Sequence, residues 1–270
     1  NEDGLLYDVL DSDFQNSFID YAESFLRKYN AQIHYSTPVS SLAKTKIGFN
    51  VNGNHFDYCV LCTDVKNTKR IMQEAQGFEP YANTSSQLKS LKQSGRYAVL
   101  RLWTDKFESD ASLPFFIFTD RLKCLDSVTL YHKMEKESAE WSKNNNGGIF
   151  ELHSYAVPKN ITADEEVKQH LLSELYHYFP ELTGMKIFHE YFQHRDDFPG
   201  FHTNQYATRP EVKTEVPGLY LAGDWVKMDN CTMLMEAAYT SGSVAANYIL
   251  SKEGLRENQL VSVPLKGILA

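Results

Sequence analysis

The apolar run Gly218-Leu219-Tyr220-Leu221-Ala222 reads as a buried strand, and it ends in a glycine and an acid, Gly223-Asp224. In open α/β sheets ligands sit beyond the carboxyl ends of strands, where helix N-termini offer unpaired N–H groups. Gly223 permits close approach of a ligand to the backbone, and Asp224 can accept a hydrogen bond from a sugar or polyol hydroxyl. After a short loop, Thr232 is placed to cap a helix starting near Met233, whose free N–H groups would face the same point. Ala237, Ala238, Ser241, Gly242, Ala245 and Ala246 keep that helix narrow. Two elements could then converge on one planar ligand, although the same residues equally suit plain close packing of a helix on a sheet.

A second set of reactive types alternates along residues 149–157, where Glu151, His153 and Tyr155 share one strand face. They are candidates to line a substrate cavity and move a proton there, or they form a solvated sheet face. Arg101 and Trp103 are spaced alike in the strand predicted over 97–103. Phe115, Phe116 and Phe118 suit an apolar tunnel or ordinary core. Arg209, before Pro210, is placed to approach a cofactor or an acid.

Metal chemistry finds no comparable support. None of the nine histidines forms H-x-x-x-H with an adjacent acid, and His189 and His194 straddle a strand. Cys59-x-x-Cys62 has no second pair, and strand residues three apart point to opposite faces. No metal site is expected.

These residues need a scaffold, and a chain of 270 residues can bury a full core in one large or two smaller domains. Phe14, Phe18, Tyr21, Phe25 and Tyr29 recur at helical spacing, with Ser12 and Gln15 as a capping box, which predicts a helix with one buried aromatic face. Strands are predicted at 31–35 and from 39 to 51, with a hairpin at Asn52-Gly53. Another strand is predicted at 55–63, whose apolar end suggests cover on both sides. Residues 131–143 read as a helix, a box at Thr162 and Glu165 opens another that stops at Pro180, and 186–194 read as a strand. The texture change near Glu79 marks an inserted segment with its own strands.

A net charge of −8 with dispersed basic residues argues against a nucleic-acid partner. Four irregularly spaced cysteines fit a reducing compartment. No run reaches the ~18 apolar residues of a membrane span.

The ordered combination of strand, Gly223-Asp224, spacer, Met235-Glu236-Ala237 and Ser241-Gly242 resembles the C-terminal signature of glutathione-reductase-like flavoproteins, in particular the amine oxidase and carotenoid desaturase superfamily. Ala31-Gln32-Ile33, Pro38-Val39 and Cys62-Thr63-Asp64 resemble earlier elements of that family. "RLW.D", "LDSVTLYHKMEKESAEWS", "GGIFELHSYAV", "RPEV.T..PGLYLAGDWV" and the terminal "VPLKGILA" are similar to the isorenieratene-synthase branch, whose members modify carotenoid rings. The likeness runs over nearly the whole chain.

This resemblance implies an α/β fold, a partial FAD-binding Rossmann-like domain of glutathione-reductase type with an inserted α+β substrate domain. The corresponding division is 1–79 and 206–270 for the FAD domain and 80–205 for the substrate domain. FAD is the implied cofactor. Gly223 and Asp224 would hold it, Leu234, Met235 and Glu236 would lie by the isoalloxazine, and Val39 and Thr63 would lie near adenine and pyrophosphate or form an ordinary sheet edge. The implied activity is FAD-dependent dehydrogenation of an apolar polyene, a carotenoid, with Arg101, Trp103 and Phe116 lining its site. An amine-oxidase or protoporphyrinogen-oxidase-like enzyme and a flavin-free binding or scaffold protein are the alternatives. The expected setting is the cytoplasm, free or in peripheral contact with the inner membrane. The fingerprint G-x-G-x-x-G is absent, so the chain is expected to be the C-terminal part of a longer enzyme.

Overall fold

The computed structural model describes residues 10–230 and 232–261. The chain forms two compact units, one of residues to Tyr35 with Gly95–Asp196, the other of Ser36–Ser94 with residues from Asp197. In chain order the elements are α1 (Asp20–Lys28), β1 (Leu42–Thr45), β2 (Gly48–Val51), β3 (Asn54–Phe56), β4 (Cys59–Leu61), α2 (Val65–Glu74) and α3 (Ala82–Ser90). Next come β5 (Tyr97–Thr104), β6 (Phe116–Phe118), β7 (Ser127–Leu130), α4 (Lys136–Asn145) and β8 (Ile149–Ser154). The last are α5 (Asp164–Tyr178), β9 (Ile187–Arg195), β10 (Leu219–Leu221) and α6 (Leu234–Lys252).

The first unit rests on a five-stranded antiparallel sheet ordered β6-β7-β8-β5-β9. Strict alternation in β5 decides its orientation: Ala98, Leu100 and Leu102 are fully buried, while Val99, Arg101 and Trp103 point to the other face. The inner face, with Val128, Leu130, Phe150 and Leu152, packs on Val167, Leu171 and Leu175 of α5. Each such leucine contributes about 1.5–3 kcal/mol by leaving water.

In the second unit β4 and β10 pair in parallel, Cys59 opposite Leu219 and Leu61 opposite Leu221. Parallel neighbours require a crossover, and here residues 62–218 provide it. Strands β1 to β3 form an antiparallel ribbon. Asn52 and Gly53 turn it with φ of 49° and 87°, as the hairpin signal predicts. Phe49, Leu61, Val65, Leu219, Leu221, Trp225 and Ala245 share the core.

Several local expectations are corrected. Phe14, Phe18, Tyr21, Phe25 and Tyr29 are each more than half exposed, so the aromatic face of the first helix is open rather than buried. Ser12 hydrogen-bonds Glu137, and the Gln15 amide donates to Asp20 at 2.5 Å, so no capping box forms and a π-helical stretch, Gln15–Ile19, precedes α1. Residues 31–35 are turn and coil. The strand predicted at 55–63 is broken by a bend at Asp57 into β3 and β4, and Val60 remains 36% exposed on one side. Residues 131–143 split into a 3₁₀ turn, Tyr131–Lys133, and α4. Helix α5 opens after Ala163 with no side-chain cap, and Asp164, Glu165 and Glu166 oppose its dipole instead.

The units also divide elsewhere than at residues 79 and 205. Ser94 N–H donates to the Phe198 carbonyl at 2.9 Å and Gly200 N–H to the Lys92 carbonyl at 2.7 Å, a bridge that keeps α3 and residues 197–205 in the second unit. Lys136 N–H donates to the Asp11 carbonyl at 2.9 Å and its ammonium pairs with the Asp11 carboxylate at 2.5 Å. That contact joins the first helical segment to α4 and hence to the first unit. The terminal "VPLKGILA" and Cys231 lie outside the described residues.

Candidate functional site

Strands β4 and β10 end side by side, and their following turns are locked together. Ala222 N–H donates to the Leu61 carbonyl at 3.1 Å, and the buried Trp225 indole donates to the Thr63 carbonyl at 3.0 Å. Gly223 lies between them at φ 143°, and a Cβ there would sit 2.5 Å from Trp225 Nε1. Only glycine fits both the conformation and the space. Ala237, Ser241 and Ala245 of α6 are buried, so the small face is used for packing.

Asp224 follows as a half-buried acid whose pKa burial raises, against the influence of its own N–H, Arg209 and the Trp225 N–H. Among the described residues no side chain hydrogen-bonds its carboxylate. Arg209 Nη1 lies 3.5 Å from the Asp224 carbonyl, and its guanidinium sits 4.5 Å from the Phe201 ring centre. Arg209 thus approaches Asp224 through the backbone carbonyl rather than the carboxylate. A carboxylate so placed suits a ligand hydroxyl.

The start of α6 is uncapped by any side chain, and Leu234 there has φ 53°. A left-handed leucine costs about 1–2 kcal/mol. Met233, Leu234, Met235 and Glu236 are exposed, leaving the first-turn N–H groups open. Thr232 is not the expected cap; the cap position is Met233, and the Thr232 hydroxyl is buried without a partner among the described residues. These features fit a polar, planar group bound across the turn.

Thr63 joins this arrangement at the end of β4, with its carbonyl on Trp225 and its hydroxyl 2.9 Å from that of Thr68. The next residue, Asp64, caps α2 by accepting from Asn67 N–H at 2.9 Å. Val39 lies in coil, and its carbonyl accepts from Arg70 at 3.2 Å.

The outer sheet face of the first unit gathers the second set. Phe116, Thr129, Glu151, Arg101 and Tyr191 stand in one row across its strands, and Phe118, Ser127, His153, Val99 and Gln193 in another. Glu151 is buried, with Arg101 Nε at 2.7 Å, His153 Nε2 at 2.9 Å and the Tyr131 hydroxyl at 3.1 Å. Burial pushes its pKa up, but the hydrogen bond from His153 and the charge of Arg101 outweigh this and hold it below the usual carboxylate range. The Arg101 guanidinium lies 3.7 Å from the Tyr131 ring centre, and burial, with the Glu151 charge, pushes the Tyr131 phenol up. A cavity of about 360 Å³ opens here, lined by Val99, Arg101, Trp103, Glu151, Tyr191 and Gln193. The face therefore carries an ordered polar network around the buried Glu151, while Phe118 and Tyr191 on the same face remain more than half exposed.

Phe116 is in the row but does not line that cavity; it meets Phe118 edge-on at 4.9 Å. Tyr155 follows β8, half exposed, with its hydroxyl 3.0 Å from Ser127 Oγ. Tyr131 was not singled out in the sequence because residues 131–143 read as one helix. The alternation of Ser127, Thr129 and Tyr131 is the signal that would have found it.

His189 packs on Trp103 at 5.0 Å between ring centres, whereas His194 bonds Asp164 at 2.8 Å, so the two histidines serve different neighbours. Burial pushes the Cys59 thiol up to about 11, which disfavours thiolate chemistry. Among the described residues, no three His, Cys, Asp or Glu side chains are grouped to hold a metal, and no helix is long and apolar enough to cross a membrane.

Residues 16–250 match the family described as flavin containing amine oxidoreductase. The chain is 35% identical over 216 residues to the carotenoid phi-ring synthase of Chlorobaculum tepidum, which covers 79% of this chain and 33% of that protein. It is 28% identical over 272 residues to the carotenoid phi-ring synthase of Streptomyces griseus, covering 99% of this chain and 52% of that one. The chain thus spans a third to about half the length of these relatives. Among solved structures, an oxidoreductase from Methanosarcina mazei superposes with a TM-score of 0.59 at 17% identity, covering 86% of this chain and 54% of the other. Reduced UDP-galactopyranose mutase gives 0.61 at 10% identity, covering 87% and 50%. These likenesses establish the fold class, α/β with an inserted α+β unit.

Proposed function

Because the chain belongs to the flavin containing amine oxidoreductase family, we propose that it is part of an FAD-dependent oxidoreductase acting on an apolar polyene, a carotenoid. The observation that carries this reading is the 35% identity to a carotenoid phi-ring synthase across 79% of the chain. Bound FAD supplies the hydride acceptor; the protein supplies orientation, dryness and electrostatics. Asp224 accepts a hydroxyl of the cofactor, Gly223 lets the backbone approach it, and the open first turn at Leu234, Met235 and Glu236 presents N–H groups to it. Thr63 belongs to the same reading through its place at the end of β4, and Val39 only through the resemblance.

For the substrate, the outer sheet face offers Trp103, Tyr191, Val99 and the aliphatic stem of Arg101 around one cavity. Such walls suit an apolar chain, while Arg101 and Glu151 neutralise each other within hydrogen-bond distance. A carotenoid dissolves in membranes, so the reading extends to a cytoplasmic enzyme that reaches its substrate by peripheral contact with the inner membrane.

The test is anaerobic mixing of the flavin-loaded protein, expressed from its complete gene, with β-carotene in detergent micelles and, separately, with putrescine. Bleaching of the flavin absorbance by the polyene alone is expected. Bleaching by the amine alone assigns the chain to amine oxidation instead.

A further inference from the structure

The cavity on the outer face of β5 and β9 combines apolar walls with hydrogen-bonding groups left unused by the protein. Val99 and Trp103 supply apolar surface, and a volume of about 360 Å³ suits one ring-sized group rather than a whole carotenoid. Arg101 lines this space with a side chain 27% exposed. Its Nε is committed to Glu151 at 2.7 Å, and its guanidinium lies 3.7 Å from the Tyr131 ring centre. Among the described residues no group accepts from either Nη. On β9, Tyr191 stands directly opposite Arg101, and Gln193 directly opposite Val99. Gln193 Nε2 donates to the Tyr191 hydroxyl at 2.7 Å, which leaves Gln193 Oε1 as an acceptor with no donor among the described residues. A bare hydrocarbon ring entering this space strips such groups of water and returns no hydrogen bond. A hydroxyl on the ring accepts from Arg101 and donates to Gln193.

We propose that this cavity receives an end ring that carries a hydroxyl group, with Arg101 and Gln193 as the residues that set this specificity. The proposal rests on the polyene reading above for the class of substrate, and on residues of the first unit alone for the site. Val99 and Trp103 hold the ring by apolar contact, and the two polar side chains distinguish an oxygen-bearing ring from a bare one. Glu151 and Tyr131 act on the arginine: the carboxylate holds Nε and the aromatic ring lies along the guanidinium, which limits the directions that the Nη groups can take.

Binding tests this without turnover. Quenching of tryptophan fluorescence, with Trp103 in the cavity wall, gives dissociation constants in detergent micelles for the protein expressed from its complete gene. The probes are zeaxanthin, with a hydroxyl on each end ring, and β-carotene, with none. Zeaxanthin should bind roughly tenfold tighter or more, the contribution of one hydrogen bond from a charged donor. Arg101→Lys keeps a cation for Glu151 but removes both Nη groups, and Gln193→Leu removes the acceptor at similar volume. Each should erase most of the preference while β-carotene binds at least as tightly as before. Comparing variant with parent cancels the unequal partition of the two carotenoids into micelles, and Gln193, being partly exposed, gives a variant that keeps the fold even where Arg101→Lys does not. Equal affinity for both carotenoids in the parent, a preference that survives in the variants, or binding of neither carotenoid overturns the proposal. The polyene reading fails separately. A preference for zeaxanthin in a protein whose flavin putrescine alone bleaches keeps the cavity assignment and rejects carotenoid oxidation, whereas equal affinity beside bleaching by β-carotene rejects the cavity assignment alone.

Discussion

Gly223 and Ser241 face each other across the junction of β10 and α6. The Gly223 N–H donates to Ser241 Oγ at 2.9 Å, and that hydroxyl lies 3.2 Å from the Gly223 carbonyl. The pairing lets a helix sit against the end of a strand without stranding either backbone group. Ser241→Ala should cost about 1–3 kcal/mol by leaving the amide unpaired. Gly223→Ala should cost at least as much, because its Cβ would meet the Trp225 indole at 2.5 Å. Urea unfolding of both variants measures this, and a Gly223→Ala protein as stable as the parent would refute the packing argument.

Asp224→Ala should weaken FAD retention more than it weakens the fold. A charge-assisted hydrogen bond contributes about 1.5–3 kcal/mol, a roughly tenfold to hundredfold rise in Kd. Asp224 is half-buried and among the described residues no side chain hydrogen-bonds its carboxylate, so within the protein its removal costs only the weak support it gives its own N–H and that of Trp225. Fluorescence titration of FAD gives the ratio directly. Equal affinity in the two proteins would remove Asp224 from the cofactor site.

The Gly223-Asp224 turn was legible because it depends on neighbours in sequence: an apolar run, a glycine and an acid declare a strand end by themselves. The alternation of Arg101 with Trp103 and of Glu151 with His153 was equally plain. That Arg101 meets Glu151 was not, since the register between β5 and β8 is a long-range property that no local pattern encodes. The aromatic spacing from Phe14 to Tyr29 gave the helix correctly, but periodicity says only which face is apolar, not what covers it. Thr162 and Glu165 had the spacing of a capping box, yet α5 begins two residues past Thr162, so the spacing serves no cap.

A pH dependence of stability should arise at Glu108, far along the chain from the turn. Burial alone would raise its pKa, but hydrogen bonds from His132 and Lys133 lower it to about 2. With an unfolded value near 4.5, the ionised form is favoured by folding, so the contribution is full above the unfolded value. It is lost as pH falls from there toward about 2, and it is on the order of 3 kcal/mol at neutral pH. Glu108→Gln should remove that part of the acid-side slope. Urea midpoints from pH 6 down to 2 compare the two proteins; parallel curves would show that the pair contributes nothing.

Glu174 on α5 provides the strictest test of a buried charge in this fold. It is 4% exposed, and its carboxylate accepts from three successive backbone N–H groups: Lys123 at 3.0 Å, Cys124 at 2.7 Å and Leu125 at 3.1 Å. These bonds hold the turn before β7 against α5 and seat Leu125, itself fully buried, in the core. Glu174→Gln keeps the volume but offers only one accepting oxygen and turns an NH₂ group toward N–H donors, so at least one amide is left unpaired. The expected loss is about 3–5 kcal/mol, close to that of Glu174→Ala, because both variants lose the acceptor that the turn requires. Glu174→Asp, which keeps the charge on a shorter stem, should lose less. Hydrogen exchange separates this mechanism from simple loss of packing: the amides of Cys124 and Leu125 should exchange faster in Glu174→Gln than in Leu171→Ala, when the two are compared at equal global stability. If Glu174→Gln unfolds within 0.5 kcal/mol of the parent, a threshold near the usual spread for surface substitutions, the three bonds are not what secures the turn.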